Sequence, residues 1–131
     1  MTVLDTQVWL WWLHDPGRLP AGARARIESA VSKGDARLSA ISVWEVAVKT
    51  ALGKLVLPMP MEAWFDQASR YPGIVIEALG PLDAIASTLL PGEFHRDPAD
   101  RLIVALARRL GAPLVTSDEK IRDYVHVSTI W

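Results

Sequence analysis

Asp5, Glu45, Asp97, Asp100 and Asp118 are the residues of this chain whose type and placement could do chemistry. The densest stretch runs from His95 to Asp118. It reads His-Arg-Asp-Pro-Ala-Asp, then an apolar run of helical spacing, then Gly-Ala-Pro-Leu-Val-Thr-Ser-Asp. Asp97 and Asp100 open a predicted helix, and Asp118 closes a predicted strand over 113–117. Asp5 follows a short apolar first strand. Glu45 is expected in the first turn of a helix that follows a second strand. In an α/β chain, strand C-termini and the helix starts after them share one edge of the sheet, the edge where ligands bind.

Each acid alone has a capping role. Asp5 and Asp118 precede helices and suit N-caps. Ser42 and Glu45 have the Ser-x-x-Glu spacing of a capping box. Asp97 suits an N-cap ahead of Pro98, and Asp100 favours the positive end of the same helix. Together they need a further account, because clustered carboxylates repel and their ionised state is costly without a cation. Mg²⁺ is a hard cation that takes a few carboxylates, keeps several waters and accepts phosphate oxygens. The chain has no cysteine, and His14, His95 and His126 are scattered, so no Cys-His set competes for a metal. Each histidine reads as a surface or hydrogen-bonding residue.

The elements that would position these acids alternate. Strands are predicted over 2–4, 37–41, 74–78 and 113–117, with a last edge strand within 125–130. Helices are predicted over 6–13, 20–33, from Ser42 to about 51, 61–71, 81–90 and 98–110, with Pro or Gly at most boundaries. Trp9, Trp12 and Leu13 share a helix face and read as core; Trp11 lies off that face. This alternation points to an α/β fold with a mainly parallel sheet.

The totals agree. At 131 residues and half hydrophobic, the chain is expected to be one domain, 1–131, with its own core. The formal net charge of −1 means that a nucleic-acid partner needs a local basic patch. No signal peptide or membrane-spanning run is read in the sequence, and the lack of cysteine suits a reducing, cytoplasmic setting.

Four motifs occur in order: Leu-Asp5-Thr-x-Val, Ser-x-Trp-Glu45-Val-Ala-x-Lys49, His95-Arg-Asp-Pro-Ala-Asp100-Arg-Leu-Ile-Val-Ala, and Leu-Val-Thr-Ser-Asp118. In this the chain resembles the PIN domain, specifically the VapC-type toxins of bacterial toxin–antitoxin pairs. The resemblance runs from the first strand to the last helix and is weakest between Leu55 and Leu90. It implies a three-layer α/β/α sandwich around a mainly parallel sheet, and a ribonuclease dependent on Mg²⁺ or Mn²⁺. The acid set carried over is Asp5, Glu45, Asp100 and Asp118. Asp5, Asp100 and Asp118 are the expected metal ligands; Thr6 supports them from behind, and Asp97 shapes its loop. Gln7 stands where related sequences often have His, and Ala99 where an aromatic is frequent; neither change removes an acid.

On this reading a metal-bound water attacks an RNA phosphodiester and a carboxylate such as Glu45 accepts its proton. Lys49, Arg96, Arg101 and Lys120 are the candidates for holding the RNA backbone. The resemblance also implies a small antitoxin partner over the acidic groove, and a homodimer. Trp11 and the proline-rich 57–61 segment are candidate contact surfaces. The alternative is a PIN-like module that binds a partner and cleaves nothing. A haloacid-dehalogenase-like site would want a second acid where Gln7 stands, and Lys120 is too close to Asp118 for a receiver-like site.

Overall fold

The first strand, β1 (Thr2–Leu4), is three residues long and wholly buried. In the computed structural model, which describes residues 1–131, it is the central strand of one sheet. The others are β2 (Ala36–Ser39), β3 (Ile74–Glu77), β4 (Leu114–Val115) and β5 (Thr129–Ile130). Every pairing is parallel and the order is β3-β2-β1-β4-β5. The chain therefore builds outward from β1 on one side, then crosses to build β4 and β5 on the other. Its topological switch lies between β1 and β4, where the crevice of an open parallel sheet opens at the strand C-termini.

Seven helices cover the sheet: α1 (Thr6–His14), α2 (Ala21–Ser32), α3 (Ala40–Ala51), α4 (Met61–Ser69), α5 (Pro81–Thr88), α6 (Pro98–Leu110) and α7 (Glu119–Arg122). Successive strand residues point to opposite faces, which divides the core in two. Val3 and Leu114 join Ile103 and Leu106 of α6 and Ile121 of α7. Leu4, Leu38 and Val115 join Val8 and Trp9 of α1, Ile27 of α2 and Trp64 of α4. These are the three layers and the parallel sheet that the motifs imply. No helix is long and apolar enough to cross a membrane.

The aromatic face of α1 is core, as its spacing predicts. Trp9 meets Trp64 edge-on at 5.1 Å, and Trp64 Nε1 donates to His14 Nε2 at 2.8 Å. Trp11 packs against Trp131, 5.8 Å between ring centres.

One boundary differs from the sequence reading in a way that matters. The second strand stops at Ser39 and α3 begins at Ala40, without a loop. Ser39 is the N-cap, accepting from Ile41 N at 3.2 Å. Ser42 and Glu45 are therefore inside α3 and form no capping box. β-Branched Ile41 extends the apparent strand in the sequence, but a capping serine at its end outweighs one residue's strand preference.

Candidate active site

The parallel register places the site. Val3 pairs with Leu114 and Leu4 with Val115, so Asp5 and Thr116 stand side by side one step beyond the strand ends. Asp5 N donates to Val115 O at 3.0 Å, continuing the ladder. Asp5 is 8% exposed and Thr116 is fully buried. Asp5 is the N-cap of α1, its Oδ1 accepting from Thr6 N at 2.8 Å, while Oδ2 accepts from Thr116 Oγ1 at 2.7 Å. Thr116 Oγ1 in turn accepts from Asp118 N at 3.1 Å. Asp118 caps α7 through Lys120 N, 2.8 Å away.

Thr6 reaches across to α3. Its hydroxyl lies 2.5 Å from Glu45 Oε1 and 2.7 Å from Ser42 Oγ. A hydroxyl has one proton; with Glu45 ionised, Thr6 donates to the carboxylate and accepts from Ser42, which is fully buried. On α6, Asp97 caps the helix through Asp100 N at 3.1 Å. Asp100 Oδ2 faces His95 Nε2 at 3.0 Å. That contact lacks the alignment of a hydrogen bond, and the ring nitrogen is buried without one.

The acids act on one another. Burial raises the pKa of Asp5, opposed by its bonds to Thr116 and Thr6 and reinforced by Asp118. Burial also raises that of Glu45, opposed by Thr6 and by Lys49 one turn further along α3. Asp100 is pushed up to about 7, first by burial and then by Asp5, Asp97, Asp118 and Glu45. The five carboxylates thus share one electrostatic field at the C-terminal edge of the sheet. Among the basic candidates, Lys49 stands in that field, and Arg96 and Lys120 are exposed. Arg101 differs: its guanidinium donates to Ser87 O, Phe94 O and His95 O at 2.7, 3.0 and 3.2 Å. It clamps the segment ahead of α6.

Oxygen-only donors that raise one another's pKa suit a hard divalent cation. No three Asp, Glu or His side chains stand close enough to enclose an ion by themselves.

The family profile of the PIN domain matches residues 2–127. This chain is a PIN domain. It is 34% identical to Ribonuclease VapC22 of Mycobacterium tuberculosis (strain ATCC 25618 / H37Rv), over 98% of this chain and 97% of that protein. Its fold is similar to a chain of DNA-bound VapBC from Salmonella typhimurium, with TM-score 0.71, 18% identity, and 98% and 96% of the two chains covered. It is also similar to a chain of VapBC2 from Rickettsia felis bound to a promoter DNA fragment, with TM-score 0.70, 16% identity and the same coverage. For a chain of FitAcB from Neisseria gonorrhoeae the TM-score is 0.66 at 19% identity, covering 100% and 97%. The PIN domain thus has VapC-type relatives along its whole length.

Reasoning from sequence missed three participants in this PIN domain. Thr116 stands one residue past β4 as Asp5 stands one past β1, a parity legible once the two strands are paired. Ser42 was assigned to a cap that Ser39 occupies. His95, read as a surface or hydrogen-bonding residue with no partner assigned, faces Asp100.

Proposed function

We propose that this PIN domain is a Mg²⁺-dependent endoribonuclease and the toxin of a toxin–antitoxin pair, with Mn²⁺ able to substitute. The observation that carries the reading is the gathering of Asp5, Glu45, Asp97, Asp100 and Asp118 at one edge of the sheet, where burial first and then the four other carboxylates push Asp100 up to about 7. Such a cluster is unfavourable on its own and finds its use with a cation and a polyanion. The VapC ribonuclease relative supplies the reaction class.

Asp5 and Asp100 would hold the ion, with Asp118 binding it directly or through one of the waters that complete its shell. When bound, the ion activates a water and polarises the phosphate. Thr116 and the α1 amide fix the Asp5 carboxylate. Thr6 orients Glu45 through Oε1, and this carboxylate would take a proton from the attacking water; its raised pKa suits a general base. Lys49, Arg96 and Lys120 hold the RNA backbone. A small antitoxin covers the acidic groove, as the VapBC neighbours suggest, and the toxin pairs as a homodimer.

The test is cleavage of total RNA with Mg²⁺, with EDTA, and by Asp5→Ala and Asp100→Asn. Cleavage is expected only from the wild type with metal. Equal cutting by either variant would overturn the assignment, and a wild type that cuts nothing would favour the partner-binding alternative.

A further inference from the structure

Beside the acids lies a second cleft, of about 470 Å³, above the roughly 300 Å³ at which ligand pockets begin. We propose that it is a nucleobase subsite that receives a guanine of single-stranded RNA next to the scissile phosphate. This rests on the ribonuclease reading and adds a base preference to it.

Its walls are aromatic. Phe94 and His95 meet edge-on at 4.5 Å, Phe94 and Tyr124 lie 4.7 Å apart, and Tyr124 and His126 5.3 Å. Tyr124 is buried behind this row, while His126 is exposed and Phe94 and His95 are half-buried, leaving ring surface for a guest. Stacking on aromatic side chains is how unpaired bases are commonly held. His95 belongs to both places: it lines the cleft, and its Nε2 faces Asp100. A nucleotide with its base in the cleft would have its phosphate beside the acids.

The cleft is also preformed. Tyr124 donates from its hydroxyl to Pro91 O, and Arg101 grips Phe94 O and His95 O from the other side. Gly92, at φ +66°, lies where a Cβ would come within 3.3 Å of His126 Nε2.

The polar groups choose the base. Glu93 and Asp123 line the cleft, and neither carboxylate makes a side-chain hydrogen bond or ion pair. Ionised carboxylates only accept. Guanine offers two parallel donors on one edge, N1–H and the 2-amino group, which match one carboxylate; uracil offers a single N–H. Lys120 on the rim is the cation for the adjoining phosphate.

Two measurements test this. The first is kcat/KM with Mg²⁺ on short single-stranded oligonucleotides carrying guanine or uracil on either side of the cut. The wild type is expected to favour guanine on one side by about tenfold. Glu93→Gln with Asp123→Asn, and separately His126→Ala, are expected to abolish that ratio, and Glu28→Gln, at an exposed position of α2, to keep it. Cleavage without base preference, or a preference that survives these variants, would overturn the subsite and leave the ribonuclease standing. The second is NMR of the imidazole signals in EDTA, where no turnover is needed. GMP is expected to shift His126 and His95 signals more than UMP does, with His14 unmoved. Equal or absent shifts would overturn the subsite even if the wild type cut no RNA.

Discussion

Thr116 Oγ1 donates to Asp5 Oδ2 at 2.7 Å, joining two side chains 111 positions apart. The same oxygen accepts from Asp118 N, so one hydroxyl ties together two acids of the cluster. Replacing it with an isosteric methyl, Thr116→Val, leaves a buried carboxylate one bond short. The expected cost is about 1–3 kcal/mol by urea unfolding, with RNA cleavage falling in parallel. Thr116→Ser restores most of both. A Val variant as stable as the wild type would mean that the bond contributes nothing.

The raised pKa of Asp100 makes the metal-free protein sensitive to pH. Its pKa rises from 3.8 unfolded to about 7 folded. A group raised on folding contributes stability that is complete below the unfolded value and is lost as pH climbs through the folded one. In EDTA, Tm should therefore fall between about pH 4 and pH 7, and Asp100→Asn should flatten that slope. Mg²⁺ binds the folded site, so it should raise Tm more at pH 8 than at pH 5. Thermal melts on a pH series decide this; a slope unaffected by Asp100→Asn would contradict it.

Arg101 and Lys49 are both basic neighbours of the site, and salt dependence separates them. Each phosphate contact to a single strand contributes about 0.7 to the slope of log affinity against log salt. Lys49→Ala should lower that slope for RNA binding by about this amount. Arg101→Lys should leave the slope unchanged but lower Tm, because an ammonium cannot span three carbonyls as a guanidinium does. A reduced slope in Arg101→Lys would return that residue to the RNA-binding set.

Gly73 immediately precedes β3 at φ +88°, and a Cβ there would lie 2.2 Å from Val31 O of α2. Backbone must move to admit it. Gly73→Ala is expected to destabilise by roughly 2–4 kcal/mol, measured by urea unfolding, without changing metal affinity in whatever fraction folds. A neutral substitution would show that α2 and β3 shift freely.

The alternation of strands and helices and the acids near the strand ends were legible because both follow local rules. Val3-Leu4 before Asp5, Leu114-Val115 three residues ahead of Asp118, and Asp97-Pro98 before a long amphipathic helix announce themselves along the chain. Ser42 did not, because its spacing to Glu45 imitates a cap while its side chain turns inward to Thr6, 36 positions away. Arg101 read as a candidate for holding the RNA backbone; its three carbonyl partners come from the end of α5 and the irregular segment before α6, which no periodicity describes. Thr116 became visible only with the pairing of β1 and β4. Site residues that answer to distant parts of the chain are those that local patterns leave out.

The crossing from β3 back to β4 has a consequence for the time at which the site exists. A chain synthesised through α3 contains Asp5, Thr6 and Glu45, yet Asp100, Thr116 and Asp118 are still to come. The central strand then has an open edge on the β4 side, and Asp5 lacks the hydroxyl that holds it. Only when β4 docks do the acids face one another. The growing polypeptide is thus expected to remain inert toward nucleic acid until β4 has been made, a delay that would suit the proposed ribonuclease by sparing RNA near the ribosome.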